Sequence, residues 1–510
     1  MSGQHTCGSW HPLAIAGTLL LAGCTAGPDF KRPAAPEGAA YTPAPLAATA
    51  ATANVPGGAA QQFVPGMDIP GEWWALFRSP ALSTLVERAL SNNPDLKAAR
   101  AALSVARENV LAQRGAYYPT ITAGISADRS KTSAQLSPVP NSGALLYSLY
   151  TPQVSVSYVP DVFGLNRRTV ESLNAQEQQT HFQLVAAHIS LSANVVAAAI
   201  QEASLRAQIE ATRELIALNG NVLQVLRQQF THGYASRLDV AAQEAQLAQV
   251  NAALPPLLKQ LTQQRDLLAA LSGAYPSEEP AERFQLTELQ LPQELPLSLP
   301  SRLIEQRPDV RQAEENLHAA CAQIGVAAAN RLPNITLTGD IGASALAIGQ
   351  LASAGSGFWD LGASVVQPVF QGGALLHKER AARAAYEQAS EQYRGTVLVA
   401  FQNVADTLSA LEHDADGLQA AAASRDAAQT TLTLVRRQQQ AGYAGYLQVL
   451  NAEQAYQLAV LTQVQAEANR YADTVALFQA LGGGWWNRSD IDTAAGAPSA
   501  VGARVQQPRE

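Results

Sequence analysis

Asn93-Pro94-Asp95-Leu96 and Arg307-Pro308-Asp309-Val310 open two copies of one pattern, and that pattern decides the fold. In each copy a second proline, Pro119 or Pro333, follows at the same spacing and introduces a strand-like run containing threonine. Val159-Pro160-Asp161-Val162-Phe163 answers Gln367-Pro368-Val369-Phe370, the turn at Gly233-Tyr234 answers Gly442-Tyr443, and Leu271-Ser272-Gly273 answers Leu481-Gly482-Gly483. Landmarks that keep one order at offsets of about 210 residues mark a tandem repeat.

Within each copy the hydrophobic period changes twice. A helical pattern from Pro80 breaks at Pro94, resumes, and stops at Tyr117-Tyr118-Pro119. Beyond it Val154, Val156 and Tyr158 alternate with Ser155 and Ser157, and Ile335 and Leu337 alternate with Thr336 and Thr338. Strands with one apolar and one small polar face follow, at about 120–128, 151–160, 334–344 and 358–368, paired as two hairpins. Tyr117, Tyr118, Tyr147, Tyr150, Trp359 and Phe370 border them, in the manner of the interfacial girdles of an outer-membrane barrel. Next come proline-free helical runs at about 167–231 and 374–440, each roughly 100 Å long at about 1.5 Å per residue. Their apolar positions, such as Phe401, Val404, Leu408, Leu411, Ala415 and Leu418, keep a coiled-coil spacing. Return helices of about half that length, at about 235–272 and 445–481, complete each copy. Four strands cannot close a barrel and an open edge is not tolerated in lipid, so oligomerisation must supply the rest. A dimer's eight strands leave an interior filled by side chains, whereas a trimer's twelve leave room for a lumen lined by Ser and Thr.

The expected fold class is mainly α with a β-barrel portion, a tandem repeat that trimerises into a 12-stranded barrel on a helical barrel. Residues 1–23 read as an export signal, with an apolar stretch too short to span a bilayer. Leu21-Ala22-Gly23-Cys24 resembles a lipobox that would place lipid on Cys24, although residues 1–12 carry no Lys or Arg. Residues 24–75 read as an extended segment, 76–274 as the first repeat, 275–300 as a Pro-rich linker, 301–484 as the second repeat and 485–510 as a tail. Once the signal is removed and Cys24 acylated, Cys321 is the sole thiol, with no intramolecular disulfide. With 15% charged residues and a net charge of −8, no basic cluster supports a nucleic-acid partner.

Gly27-Pro28-Asp29-Phe30 to Pro33, Trp73-Trp74 to Phe77, Ile304-Glu305-Gln306-Arg307-Pro308-Asp309-Val310, and Tyr471 to Leu481 before a Gly-Gly-Gly-Trp terminus complete the signature. Together they resemble the TolC-like outer membrane factors, specifically the lipoprotein branch serving resistance-nodulation-division efflux systems. The resemblance implies a homotrimeric duct through the outer membrane and periplasm. Its implied partners are a periplasmic adaptor, an inner-membrane pump, and membrane lipid reached through N-terminal acyl chains. The duct would conduct small molecules passively; the exit duct of a protein secretion system and a non-conducting envelope lipoprotein are the alternatives.

No catalytic, cofactor or metal constellation is present: the histidines are scattered without ligand spacing. Function is expected at the two helical turns farthest from the membrane. The resemblance assigns adaptor docking to Gly233, Ser236, Arg237, Leu238, Asp239 and Gly442, and the periplasmic gate to Tyr443, Tyr446, Gln448 and Asn451. Gln448 and Asn451 stand where relatives often have Asp, so the gate is expected to close through neutral contacts.

Overall fold

The computed structural model describes residues 25–34, 40–43, 46–133, 146–278 and 280–493. The expected signal, Cys24 and the end of the tail lie outside them. In chain order come strand Gln62–Pro65 (β1), helices Pro80–Asn92 (α1) and Pro94–Arg114 (α2), and strands Thr120–Lys131 (β2) and Leu146–Tyr158 (β3). Helices Leu165–Thr231 (α3) and Arg237–Leu271 (α4) complete the first repeat. Strand Glu294–Leu297 (β4) and helix Pro300–Gln306 (α5) precede the second, built of helix Pro308–Ala329 (α6), strands Asn334–Ala343 (β5) and Gly357–Val366 (β6), and helices Ala374–Gln440 (α7) and Tyr446–Ala480 (α8). Helix Ser489–Thr493 (α9) follows. The two copies match in length: α3 and α7 each have 67 residues, and α4 and α8 each have 35. At the copies' opening motif they differ. Asn93 caps α2 by accepting from Asp95 N and Leu96 N (2.9 and 3.1 Å), whereas Arg307 grips the Asp309 carboxylate and donates to Ala480 O at 3.1 Å.

The chain divides into two compact units. The first, Met1–Arg32, Ser104–Gln179 and Ala313–Tyr393, holds the sheet. Its strands run in the order β2-β3-β5-β6, every neighbour antiparallel. The register sorts the side chains. Thr122, Ser155, Asp340 and Asp360 share one face, while Ala123, Val154, Ile341 and Trp359 share the other. Both hairpin-1 strands are longer than their composition predicts. β2 runs to Lys131 and β3 begins at Leu146, because Arg129 and Ser148, polar in sequence, still find ladder partners in one another.

An N-terminal strap crosses this unit. Ala26 N donates to Phe163 O at 3.1 Å, and the buried Arg168 guanidinium reaches Ala26 O at 3.1 Å and the Asp29 carboxylate at 2.7 Å. Phe30 stacks on His318 with centroids 4.4 Å apart, and Arg32 pairs with Glu314 at 2.9 Å. Cys321, buried as the Ala-rich pattern around it predicts, lies beneath Pro28, and burial raises its thiol pKa.

The second unit, Pro33–Leu103, Thr180–Gln312 and Arg394–Glu510, has an aromatic core in which Trp73 stacks on Phe478 at 5.3 Å. The extended segment and the Pro-rich linker meet here: β1 and β4 pair in parallel, and Phe284, Leu286 and Leu295 of the linker are buried. Pairing between strands so distant in sequence leaves no local trace. Arg470, wholly buried on α8, holds the segment by donating to Gly57 O at 2.6 Å and to Ala59 O and Thr49 Oγ1, both at 3.1 Å. The tail likewise starts ordered: Trp485 packs on Val185, Ile189 and Ile491.

The strap should respond to pH. The His318 ring bridges Glu315 and Glu171 at 3.3 and 3.2 Å. The Glu315 hydrogen bond raises its pKa against partial burial, with Glu171 adding to the rise. A raised folded pKa means that this stabilisation is fully present below the ordinary imidazole range and fades as pH rises through the raised value. Proteolysis of the strap, normalised to a peptide substrate, should be several-fold faster at about pH 8 than at about pH 5.5. His318→Gln should remove that difference, and Arg168→Ala should release the strap at both pH values.

Candidate functional site at the two helical turns

Both long helices end in the same turn. Gly233 and Gly442 adopt φ 79°, the left-handed conformation that glycine takes without strain. Gly233 N bonds to Phe230 O (3.0 Å) and Tyr234 N to Gln229 O (2.8 Å); Gly442 N and Tyr443 N repeat this with Gln439 O and Gln438 O (3.0 and 2.9 Å). Each is a Schellman stop, which satisfies the last helical carbonyls.

The return helices start differently. Ser236 caps α4: its Oγ accepts from Asp239 N at 3.1 Å, while the Asp239 carboxylate accepts from Ser236 N at 2.9 Å. Asp239, expected to give this tip a charge, is thus engaged in a reciprocal capping box. In the second turn Gly445 replaces the serine, and only the return half survives, Gly445 N donating to Gln448 Oε1 at 3.2 Å. Outward, the two tips present the same chemistry. Tyr234 and Leu238 on the first, and Tyr443 and Leu447 on the second, are exposed large side chains. Arg237 and Asn451 are exposed too.

Tyr446 is not among the exposed groups. It is buried with Leu226 and Leu450, and its hydroxyl donates to Gln243 Oε1 on α4. Gln243, itself fully buried, donates in turn to Asn219 O and Asn219 Oδ1 on α3, both at 3.0 Å. Burial, and then the carboxylates of Glu453 and Asp239, hold the Tyr446 phenol above its usual pKa, so it stays a donor. A second neutral contact continues the line: Gln454 donates to Gln246 at 2.7 Å, and Gln246 to Gln457 at 3.3 Å. Of the four expected gate residues, Tyr446 therefore joins the repeats, Gln448 caps a helix, and Tyr443 and Asn451 remain on the surface.

An ion pair between the long helix and its return helix recurs in both repeats, Arg227–Glu244 at 2.6 Å and, in the equivalent place, Arg436–Glu453 at 2.8 Å. The first is exposed; in the second Glu453 is buried. Alignment of the repeats on Gly233 and Gly442 superimposes these four residues, a signal present in the sequence but not exploited there. The buried partners Asn219, Gln243 and Gln246 carry no such mark.

The outer membrane efflux protein family matches this chain over residues 85–274 and 299–483. The chain belongs to this family. It is an outer-membrane efflux duct that extends into the periplasm. TtgF of Pseudomonas putida, a toluene efflux pump outer membrane protein, is 31% identical over 94% of this chain and 98% of its own. SilC of Salmonella typhimurium, a probable outer membrane lipoprotein, is 27% identical over 93% of this chain and 98% of its own. The solved outer-membrane channel OprN superposes with a TM-score of 0.81 at 28% identity, covering 91% of this chain and 100% of that one. The fold of this efflux protein is accordingly that of the TolC-like channels. Among its described residues, no group of three or more His, Cys, Asp or Glu side chains is placed to hold a metal.

Tyr446→Phe leaves Gln243 Oε1 buried without its donor, at a cost of about 1–3 kcal/mol. Hydrogen exchange in peptides covering 441–460 should accelerate by roughly tenfold or more. Asn451→Ala, at an exposed position, should leave exchange unchanged.

Proposed function

We propose that this efflux protein works as a homotrimeric duct of a tripartite pump, fed by an inner-membrane resistance-nodulation-division transporter through a periplasmic adaptor. The observation that carries this reading is the sheet: one face of Ser, Thr and Asp, one of Val, Ile, Leu and Trp, and two edges without a partner strand among the described residues. Such a sheet suits a barrel with water inside and lipid outside, closed only by further copies. Conduction is passive, and the pump supplies the energy and selects the cargo. Toluene is named for one relative and antibiotics for another, so small organic molecules are the proposed cargo class. Cys24 is the proposed lipid anchor. The strap supports it by placing the adjoining Thr25 against Gly164, a few residues past the end of β3.

The adaptor docks on Gly233, Ser236, Arg237, Leu238, Asp239 and Gly442, where exposed Tyr and Leu pairs on both turns offer equivalent apolar knobs. The gate is formed around Tyr443, Tyr446, Gln448 and Asn451, with the Tyr446–Gln243 hydrogen bond as its latch between repeats. Because that latch is neutral, salt screens it little.

Native mass measurement of the purified protein should give a trimer, and planar bilayers should show discrete conductance steps. Tyr446→Phe and Gln243→Leu should each raise open probability about tenfold, corresponding to roughly 1.4 kcal/mol. A steep rise of wild-type opening with ionic strength would count against the neutral latch. Photocrosslinking from Leu238 should capture the adaptor; capture only from positions in the sheet would reject the docking assignment.

A further inference from the structure

Two prolines stand inside α4, Pro255 and Pro256, and the helix runs through them from Arg237 to Leu271. Proline has no backbone N–H, so the carbonyls of Asn251 and Ala252 lose their helical partners. Both residues are exposed, which leaves those carbonyls to water. Proline is the least favourable residue in a helix interior, and neither Pro255 nor Pro256 is buried, so packing does not offset the cost. The other helices of the two walls carry no such break. α3 is free of proline over 67 residues, and on α8 the places of Pro255 and Pro256 are taken by Val464 and Gln465.

The prolines lie in a loose stretch between two held ends. Toward the base, Gln264 donates to Ala198 O on α3 at 3.0 Å, Arg265 reaches Glu202 and Pro280 O, both at 3.0 Å, and Leu268 and Ala269 are buried. Toward the turn, Gln243, Gln246 and Val250 are buried, and Gln243 makes the bonds to Asn219 and Tyr446. From Asn251 to Leu267 no residue is buried within the subunit. The equivalent stretch of α8, residues 460–476, buries Glu467, Arg470, Tyr471 and Val475, and there Arg470 donates to Gly57 O and Tyr471 to Leu289 O. Beside the loose stretch lies space in place of packing. Leu258 and Leu261, just past the prolines, border a pocket of about 580 Å³ whose other walls include Ala203, Ala207 and Ile209 of α3 and Leu286 of the linker.

Two antiparallel helices tied at their turn can bend together only if one lengthens or shortens against the other. The two missing hydrogen bonds let α4 do so at one level, and the pocket gives it room. We propose that Pro255 and Pro256 form a hinge on which the first turn swings away from α8, drawing Gln243 off Tyr446 as the duct opens. They are positioning residues, acting through Gln243 about three helical turns nearer the tip. The hinge rests on the latch proposed above and supplies the motion that releases it. The first-repeat hairpin is the moving part, because the middle of α8 is fixed by Arg470 and Tyr471.

The test reads the open probability of the full-length protein in planar bilayers beside its thermal unfolding midpoint and native mass. Pro255→Ala with Pro256→Ala restores two N–H donors, so the midpoint should hold or rise while open probability falls about tenfold below wild type. Added to Gln243→Leu, the same pair should cancel most of that variant's gain in opening. Lys259→Pro, at an exposed position one turn nearer the base, should restore opening to the alanine pair, since a hinge needs the missing bond and not the particular residue. A lower midpoint for the alanine pair shows that the prolines brace the fold, and overturns the hinge. Unchanged opening in both backgrounds overturns it as well, and so does failure of the Lys259→Pro rescue in a protein of unchanged native mass. If Gln243→Leu alone leaves opening at the wild-type level, the latch fails, and the hinge is decided by the alanine pair in the wild-type background.

Discussion

Hydrocarbon offers backbone N–H and C=O groups no partner, so a strand edge that faces lipid must be paired by another strand. A sheet of four strands, its two edges unpaired among the described residues, is incomplete in a membrane by itself, however well its residues are sorted between faces. The internal duplication meets this constraint economically. A chain that carries two hairpins already contains one junction between hairpins, and a ring of such chains needs only that junction repeated. The matching 67-residue and 35-residue helices extend the same logic beyond the membrane, where each repeat presents a helical wall of one length.

Duplication makes the wall, and divergence distinguishes its parts. At the turns both copies keep the Gly-Tyr stop, and both keep the Arg–Glu pair that ties outgoing to returning helix. They part at three nearby positions, where Ser236, Arg237 and Asp239 face Gly445, Tyr446 and Gln448. The first set builds a full capping box and leaves Arg237 exposed; the second gives up half the cap and sends Tyr446 inward to Gln243. The asymmetry is thus less a matter of charge than of direction. One turn closes on itself, and the other reaches across to its neighbour.

The family motifs outside the repeat have physical duties as well. Gly27-Pro28-Asp29-Phe30 is the strap that Arg168 and His318 hold, and Trp73, Trp74 and Phe77 form the core on which α8 lies. Arginine serves in both units for the same reason. A planar, permanently charged side chain with several donors can gather carbonyls from a chain segment that has no secondary structure of its own. Arg168 does so for residues 26–29, and Arg470 for residues 49–59.

The sequence by itself determined the repeat, the hairpins and their two faces, the long helices with their bounds nearly to the residue, and the glycine stops at both turns. All of these rest on local periodicity or on residues such as Pro and Gly that restrict their own backbone. Tertiary structure alone decided where polar side chains meet across elements. The β1–β4 ladder joins strands more than 200 residues apart, Arg470 gathers carbonyls from a distant segment, and Tyr446 finds Gln243 on another helix. A buried Gln or Asn looks the same in sequence as an exposed one. Only the packing of α3, α4 and α8 shows which of them is paired, as Gln243 is with Tyr446 and Asn219.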